Sequence, residues 1–241
     1  MNAIITPTWP APPTVRACTT LRLGGVSLAP YDTFNLATHV GDDKAHVLTN
    51  REQLKNTLQL PAEPFWLEQT HSTTVLFKSA GKGDASFTDQ PGQVCVVLTA
   101  DCLPLLVCNR QGTVVSAIHA GWRGLADGII ENTLDAMSLS PEDILVWLGP
   151  AIGPSVYELG EDVRDCFLKK DPAAERCFRP AERDGYWLGN LYDLARQRLK
   201  KRAVSAVYGG EFCTYTDSKR FFSYRRDGER TGRMASLIWM T

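Results

Sequence analysis

The stretch VCVVLTADCLPLLVCNRQGTVVSAI, residues 94–118, contains three apolar runs that predict buried β-strands. The runs cover 94–98, 103–108 and 114–118, and polar or glycine residues separate them. None shows the strict alternation of apolar and polar residues that marks a strand with one solvated face. We therefore expect central strands that are covered on both faces.

Helices and strands alternate on both sides of this stretch. Further strands are predicted at 65–67, 75–77, 144–148, 204–208, 221–224 and 235–239, and helices at 42–58, 125–137, 161–169 and 191–201. Asp42 and Asp43 offer an N-cap to the first of these helices. Such alternation is typical of the α/β class. The 241 residues contain no repeat, low-complexity tract or linker, so one domain spanning 1–241 is expected.

Composition excludes several classes of partner. The 26 Lys and Arg residues are balanced by 27 Asp and Glu residues, so no overall field attracts a nucleic acid. No apolar stretch approaches the roughly 18 residues that span a bilayer, and residues 1–7 lack the features of a signal peptide. Seven scattered cysteines, an odd number, indicate reduced thiols without disulfides. We expect a cytoplasmic protein, monomeric by default, that binds neither nucleic acid nor membrane.

Three potential metal ligands lie where apolar runs are interrupted or end: His71, Cys102 and His119. Loops at the ends of buried strands gather functional side chains from distant parts of a chain. Two imidazoles and a thiolate suit Zn²⁺ and leave a fourth position for water or substrate. Glu68 and Asp101 lie nearby in sequence and could orient an imidazole or act as a base. The alternative is that the three residues only pack in the core.

Arginines and aromatic residues alternate near the C-terminal end of the chain. Ser223, Arg225 and Arg226 adjoin Phe221, Phe222 and Tyr224 within an arginine-rich segment, 219–233. A guanidinium beside aromatic rings suits the capture of phosphate or carboxylate. The alternative is a solvated, charged end of a strand.

Several motifs together resemble one known family. They are RLGGVS at 22–27, Asn35-Leu36, EQTH at 68–71, TADCLP at 99–104, HAGWRG at 119–124, LGPAIG at 148–153, FFSYRRD at 221–227 and TGRMAS at 231–236. The chain is similar to the bacterial laccase-domain family, also called the peptidoglycan editing factor or purine nucleoside phosphorylase family. This resemblance implies a single-domain α-β-β-α layered sandwich with mixed sheets, and zinc held by His71, Cys102 and His119.

The resemblance also implies phosphorolysis of adenosine, inosine and methylthioadenosine, with adenosine deamination as a second activity. The partners would then be a small nucleoside and phosphate. Zinc can activate water for deamination while a carboxylate, Glu68 or Asp101, moves protons. The residues expected to bind substrate or phosphate are Arg22, Asn35, Arg123, Ser223, Arg225 and Arg226.

Other functions stay open from the residues alone. Cys102 could be the nucleophile of a hydrolase that edits cell-wall muropeptide precursors, with His119 or His71 as its base. Copper could occupy the same three ligands in a polyphenol oxidase. A full multicopper centre is disfavoured, because it needs far more imidazoles than the four histidines available. A binding module without activity is a third class, which a convergent polar cleft argues against.

Overall fold

The structure is a computed structural model that describes residues 4–241. Its strands are β1 Ile4–Ile5, β2 Val15–Thr20, β3 Leu67–Glu68, β4 Val75–Phe77, β5 Gly81–Lys82, β6 Ala85–Thr88, β7 Val94–Thr99, β8 Leu103–Asn109, β9 Val115–Ala120, β10 Ile144–Leu148, β11 Glu158–Gly160, β12 Phe178–Pro180, β13 Tyr186–Gly189, β14 Ala206–Gly209 and β15 Met234–Met240. Its α-helices are α1 Lys44–Leu58, α2 Trp122–Asp127, α3 Ile129–Met137, α4 Glu161–Lys170, α5 Leu191–Lys201 and α6 Tyr224–Asp227.

A six-stranded mixed sheet occupies the middle of the fold, in the order β14-β10-β8-β9-β6-β4. Its two outermost pairs, β10 with β14 and β4 with β6, are parallel, and the inner pairs are antiparallel. Every residue of β8, β9 and β10 is buried, as is every residue of β7 in the neighbouring sheet. The prediction that these strands are covered on both faces is confirmed, and β8 and β9 are central in their sheet, whereas β7 is an edge strand of its own sheet.

A second, antiparallel sheet packs against the first, with the order β1-β2-β15-β7. Cys95 and Ile238 from this sheet share a buried apolar cluster with Leu106, Ala117 and Trp147 from the six-stranded sheet. The removal of these side chains from water is the main force that holds the two sheets together.

Helices cover the outer face of each sheet. Leu54 of α1 packs with Val96 and Leu237 on the four-stranded sheet, whereas α3 and α5 pack on the outer face of the six-stranded sheet. Asp43 caps α1 as the sequence predicts, since its carboxylate accepts a hydrogen bond from the Ala45 amide at 2.7 Å. The layers therefore follow the order α-β-β-α, and the predicted α/β fold class with mixed sheets is confirmed.

Three predicted elements differ from the structure. The strand expected over 65–67 is shifted, because β3 covers Leu67–Glu68 and Phe65 forms only an isolated bridge with Cys95. The helix expected over 125–137 is divided into α2 and α3, because Gly128 adopts a left-handed φ of 104° that ends the first helix. The strand expected over 221–224 is wrong. Phe221 and Phe222 are both fully buried in a connecting segment, and the Ser223 hydroxyl accepts a hydrogen bond from the Arg226 amide to cap α6.

A small antiparallel sheet, β11-β13-β12, was not expected from the sequence. Its strands are three or four residues long, too short for a clear apolar pattern. Together with the start of α4, it forms one side of the cavity described below. Among residues 4–241, no helix combines the length and apolar character that crossing a membrane requires.

Candidate metal centre

Three side chains from separate segments meet at one edge of the sheets: His71, Cys102 and His119. His71 follows β3, Cys102 lies in the turn between β7 and β8, and His119 is in β9. One potential ligand atom from each residue lies within 4.8 Å of the others. Over residues 4–241 this is the one group of three or more such side chains close enough to hold a metal ion. We call these three residues the ligand cluster.

A buried carboxylate, Asp84, connects two of these segments. It immediately precedes β6 and is fully buried. Its Oδ1 lies 2.8 Å from His119 Nδ1 and accepts a hydrogen bond from the His71 amide at 3.0 Å. Its Oδ2 accepts hydrogen bonds from the amides of Thr70 and Ser72 and from the Ser72 hydroxyl. One side chain thereby fixes both histidine segments.

The segment that carries His71 is held in an unusual backbone conformation. His71 has a φ of 59°, in the left-handed region that residues other than glycine rarely adopt. Besides the bonds to Asp84, the Gln69 side chain donates to the Leu98 carbonyl and accepts from the Leu98 amide. These contacts anchor the segment to β7 and hold the His71 ring toward Cys102 and His119.

Gly121, the residue before α2, permits this close approach. A Cβ atom at this position would collide with His71 Nδ1 and lie 3.1 Å from Cys102 Sγ. Gly121 has an ordinary φ of −62°, so space rather than backbone conformation requires a glycine here. Gly121, the glycine after His119 and Ala120 in HAGWRG, therefore leaves the space in which the His71 ring approaches Cys102.

The charges of His119, His71 and Asp84 influence one another. Burial would lower the pKa of His119, but the adjacent Cys102 and the bond to Asp84 raise it to about 9. Burial, followed by the His119 charge, lowers the pKa of His71. Burial would raise the pKa of Asp84, yet hydrogen bonds from His119 and Ser72 hold it far below its usual range. Asp84 is therefore ionised at neutral pH.

The ligand cluster fits a zinc ion. His71 Nδ1 is buried and has no hydrogen-bond partner in the described part of the chain. Such an atom is costly unless a ligand satisfies it. Two imidazole nitrogens and a sulfur are a donor set that Zn²⁺ accepts, and copper also binds imidazole and thiolate. A carboxylate behind one histidine is the usual arrangement around protein-bound zinc.

A cavity of about 850 Å³ opens over the ligand cluster. Four arginines line it, and we call them the arginine wall: Arg123, Arg183, Arg225 and Arg233. Aromatic side chains lie among them, namely Trp122, Tyr157, Tyr186 and Tyr224. Three acidic residues, Asp101, Glu158 and Asp162, also line the cavity. Its arginine and aromatic side chains suit a planar or anionic small molecule.

The members of the arginine wall differ in how firmly they are held. Arg123 is exposed and stacks on the Trp122 ring at 4.2 Å. Arg225 donates to the Glu158 carbonyl at 2.6 Å and approaches the Tyr157 ring at 5.5 Å. Arg233 donates to two backbone carbonyls close to it in sequence. None of these three forms a salt bridge with a carboxylate of residues 4–241, so an anionic ligand can be their counter-ion.

Some residues predicted for the site lie elsewhere. Glu68 is exposed and does not line the cavity, because it follows a buried Leu67 in β3 and points to the opposite face. Arg22 donates to the carbonyls of Asp32 and Ser218 and stacks on Phe222 at 4.9 Å. The structure does not bring Glu68 or Arg22 to the ligand cluster.

Asn35, Ser223 and Arg226 hold the surrounding loops together. Asn35 is fully buried and accepts a hydrogen bond from the Arg233 amide. The Arg226 guanidinium donates to the carbonyls of Thr214, Tyr215 and Phe221, and also contacts Asp227. None of the three lines the cavity, so their contacts are with the protein itself.

Asp101 lines the cavity but has several partners. It accepts hydrogen bonds from the Thr214 hydroxyl at 2.6 Å, the Ser223 hydroxyl at 3.0 Å and the Arg225 amide at 2.6 Å. With a φ of 86° it occupies the left-handed region directly before Cys102. These bonds position the start of α6, and with it Arg225, beside the ligand cluster.

Sequence reasoning missed Asp84, Tyr157 and Arg183 as residues of the site. Asp84 stands between Gly83 and the short strand β6, whose sequence is Ala-Ser-Phe-Thr, a position that offers only a weak signal in one sequence. Tyr157 is 8% exposed and lines the cavity. Arg183 lies between short strands that the sequence did not predict.

Comparison with known proteins identifies the family. Residues 16–241 match the family described as multi-copper polyphenol oxidoreductase laccase. The chain is 50% identical over 246 residues to the purine nucleoside phosphorylase YfiH of Escherichia coli, covering all of both chains. It is 50% identical over 243 residues to a purine nucleoside phosphorylase of Pseudomonas aeruginosa, covering 100% of this chain and 99% of that one.

Solved structures agree with this comparison. The Neisseria meningitidis protein NMB0706 is 46% identical, with a TM-score of 0.94 and 99% of each chain covered. YlmD from Geobacillus stearothermophilus is 29% identical, with a TM-score of 0.88, covering 95% of this chain and 92% of that one. The resemblance predicted from the motifs is confirmed. The chain therefore belongs to the multi-copper polyphenol oxidoreductase laccase family.

Proposed function

We propose that this protein is a zinc-dependent purine nucleoside phosphorylase that acts on adenosine, inosine and methylthioadenosine. The observation that carries the proposal is the ligand cluster at the base of a cavity lined by arginines without acidic partners. The naming of relatives 50% identical over the full chain supports the same activity.

Phosphate binding falls to the arginine wall in this proposal. Arg225 and Arg123 lie on the same cavity as Cys102, and each has guanidinium donors available to an anion. A phosphate oxygen forms the new bond to the anomeric carbon while the bond from that carbon to the purine nitrogen breaks. The electron pair leaves with the purine, which takes up a proton. Positioning and charge stabilisation supply most of the acceleration in such a transfer.

Zinc held by His71, Cys102 and His119 would act as a Lewis acid and would lower the pKa of a water molecule in the cavity. The same centre supports adenosine deamination as a second activity, in which water adds to the amine-bearing carbon and ammonia leaves. Asp101 is the carboxylate that lines the cavity beside Cys102, and we assign it the proton transfers in place of Glu68.

One product analysis tests the proposal. Zinc-loaded protein is incubated with adenosine, with and without inorganic phosphate, and the products are separated by chromatography. Adenine and ribose 1-phosphate, formed only with phosphate present, are the expected products of phosphorolysis, and inosine is the product of deamination. Hypoxanthine from inosine would extend the substrate range. Absence of all these products with protein of verified zinc content would reject the proposal.

A second candidate, a cysteine hydrolase acting on cell-wall precursors, is favoured by a different observation. Cys102, His119 and Asp84 together resemble a nucleophile, base and carboxylate, because Asp84 holds His119 Nδ1 on the side away from Cys102. A covalent acyl-enzyme on Cys102 detected by mass spectrometry after incubation with a muropeptide would support this function. Full activity that requires stoichiometric zinc would contradict it, since a metal-bound sulfur is not a free nucleophile.

The identity of the bound metal can distinguish phenol oxidation, which the family's descriptive name mentions, from the proposed phosphorolysis. Copper can bind the same three ligands, so oxidation of a phenol is tested with copper-loaded and zinc-loaded protein in parallel. We expect oxidation, where it occurs, only with copper. Phosphorolysis supported by zinc alone would assign the two activities to different metal contents of one site.

A further inference from the structure

We infer that Asp84 is a positioning residue that determines which nitrogen of each histidine faces the metal: Nε2 of His119 and Nδ1 of His71. The inference rests on the zinc centre of the proposed function, and deepens it. It concerns this chain's own hydrogen bonds and is independent of which substrate the cavity accepts.

The assignment for His119 follows from its bond to Asp84. Both oxygens of the Asp84 carboxylate accept hydrogen bonds from backbone amides, Oδ1 from His71 and Oδ2 from Thr70 and Ser72, so this side chain acts as an acceptor. His119 Nδ1, 2.8 Å from Asp84 Oδ1, must therefore carry a hydrogen and donate it. In a neutral imidazole the other nitrogen then keeps its lone pair. His119 thus presents Nε2 to the ligand cluster.

The assignment for His71 follows from the opposite observation. Its Nδ1 is buried, has no hydrogen-bond partner among residues 4–241, and faces the space that the missing Cβ of Gly121 leaves beside Cys102 Sγ. The Asp84 carboxylate makes no hydrogen bond to this nitrogen, but it accepts one from the His71 amide and so fixes the left-handed backbone that turns the ring inward. His71 thus presents Nδ1.

The common carboxylate has a physical consequence for metal binding. Both ligand-bearing segments are fixed before a metal arrives, so little ordering of loops remains to be done when it binds. Groups that orient zinc-bound histidines typically account for about 10–100-fold in metal affinity. We expect Asp84→Asn to weaken zinc binding by that factor, although Asp84 does not itself contact the metal position.

Nitrogen NMR on zinc-loaded protein tests the assignment directly. The chain has four histidines, so long-range proton–nitrogen spectra of protein labelled with ¹⁵N-histidine give few signals, which His39→Gln and His46→Gln variants help to assign. We expect a protonated Nδ1 and metal-bound Nε2 for His119, and the reverse for His71. Two histidines with the same bound nitrogen would overturn the inference.

The affinity measurement has a matched control. Asp89 is exposed and directly follows β6, whereas Asp84 directly precedes it, so Asp89→Asn removes the same charge without touching either histidine. Zinc affinity is measured by competition with a chelator, and near-UV circular dichroism shows whether each variant is folded. Equal affinities of Asp84→Asn, Asp89→Asn and the unmodified protein would overturn the positioning role.

The outcomes distinguish failure of this inference from failure of the proposed zinc-dependent function. If the unmodified protein binds no zinc, the proposed metal centre fails. If it binds zinc but both histidines use the same nitrogen, only the inference fails. If Asp84→Asn does not fold, the NMR result on the unmodified protein still decides, since it requires no substitution at Asp84.

Discussion

The ligand cluster and the arginine wall share one cavity but are built in opposite ways. His119 and the backbone of His71 are fixed by a single buried carboxylate, and Gly121 leaves just enough space for the His71 ring. Arg123 and Arg183 are exposed and are held mainly by stacking on neighbouring aromatic rings. The difference teaches that metal affinity is set by preorganised ligands at the bottom of the cavity, whereas substrate is captured by arginine side chains that can still move.

The largest effect is expected from removing the sulfur of the ligand cluster. Cys102→Ala deletes one of three ligands, so zinc affinity should fall by more than the roughly 100-fold that residues behind a ligand can cost. Phosphorolysis and deamination should be lost together. Zinc content after dialysis and product chromatography measure both, with Cys166→Ala, an exposed cysteine away from the cavity, as the control. Stoichiometric zinc in Cys102→Ala would show that the base of the cavity is not the metal centre.

Gly121→Ala tests whether the space beside His71 and Cys102, at the bottom of the cavity, is as restricted as the structure indicates. The added methyl group would collide with His71 Nδ1 and crowd Cys102 Sγ at 3.1 Å, so the ring must move. We expect zinc affinity to fall by about 10–100-fold, as for other changes that disorient a ligand. Gly92→Ala is the control, because its Cβ would meet nothing within 4 Å although its φ of 79° strains the backbone. Unchanged zinc affinity in Gly121→Ala would contradict a preorganised base.

The pH dependence of zinc binding provides a sharper test of the same region. With its pKa raised to about 9, His119 carries a proton at neutral pH in the metal-free protein, and zinc must displace it. This proton alone should make affinity rise up to about tenfold per pH unit from pH 7 until pH reaches about 9. His71, whose pKa is lowered, adds no such dependence in that interval. Chelator competition at pH 7, 8 and 9 measures it, and a flat profile would contradict the coupling.

A pair of neighbouring arginines tests the other side of the comparison. Arg225 lines the cavity, whereas Arg226 donates to backbone carbonyls and does not. Arg225→Ala should raise the phosphate KM about tenfold or more with zinc content unchanged, since hydrogen bonds to charged groups contribute about 1.5–3 kcal/mol. Arg226→Ala should lower the melting temperature and leave that KM near its original value. An unchanged phosphate KM in Arg225→Ala with a raised KM in Arg226→Ala would show that phosphate does not bind in the cavity.

The smallest effect is expected at Glu68. Because this side chain is exposed and outside the cavity, Glu68→Gln should change deamination and phosphorolysis by less than about twofold, as is usual for surface substitutions. Steady-state rates with adenosine provide the measurement. A tenfold loss of deamination would restore Glu68 as a proton carrier and assign Asp101 to positioning alone.

The sequence predicted the parts of this molecule that depend on local patterns. Long apolar runs identified β7, β8 and β10, and Asp43 marked the start of α1. The ligand cluster could be named because histidines are few and lie close to the ends of apolar runs, although the structure extends β9 through His119. Asp84 could not be found this way, because its role arises from five hydrogen bonds, four from residues 70–72 and one with His119 of β9, which exist only once the chain is folded.

The errors have a common physical cause. Phe221 and Phe222 have a strand-like composition, but both are buried in a compact connection that Ser223 ends as a helix cap. Glu68 is close to His71 in sequence and lies on the other face of its strand. In each case tertiary packing, which a local pattern does not contain, decided where the side chain points.

The position of β15 affects how the protein is made in the cell. This strand lies between β2 and β7, and the Thr19 and Ser236 hydroxyls that meet across it are 217 residues apart in the chain. Contacts of such separation form slowly, because a long loop must close first. Arg233, one residue before β15, reaches the cavity only when that strand is in place. During synthesis on the ribosome, β15 emerges after both strands that it pairs with, so a chain that stalls before it has neither a complete four-stranded sheet nor Arg233 in the cavity.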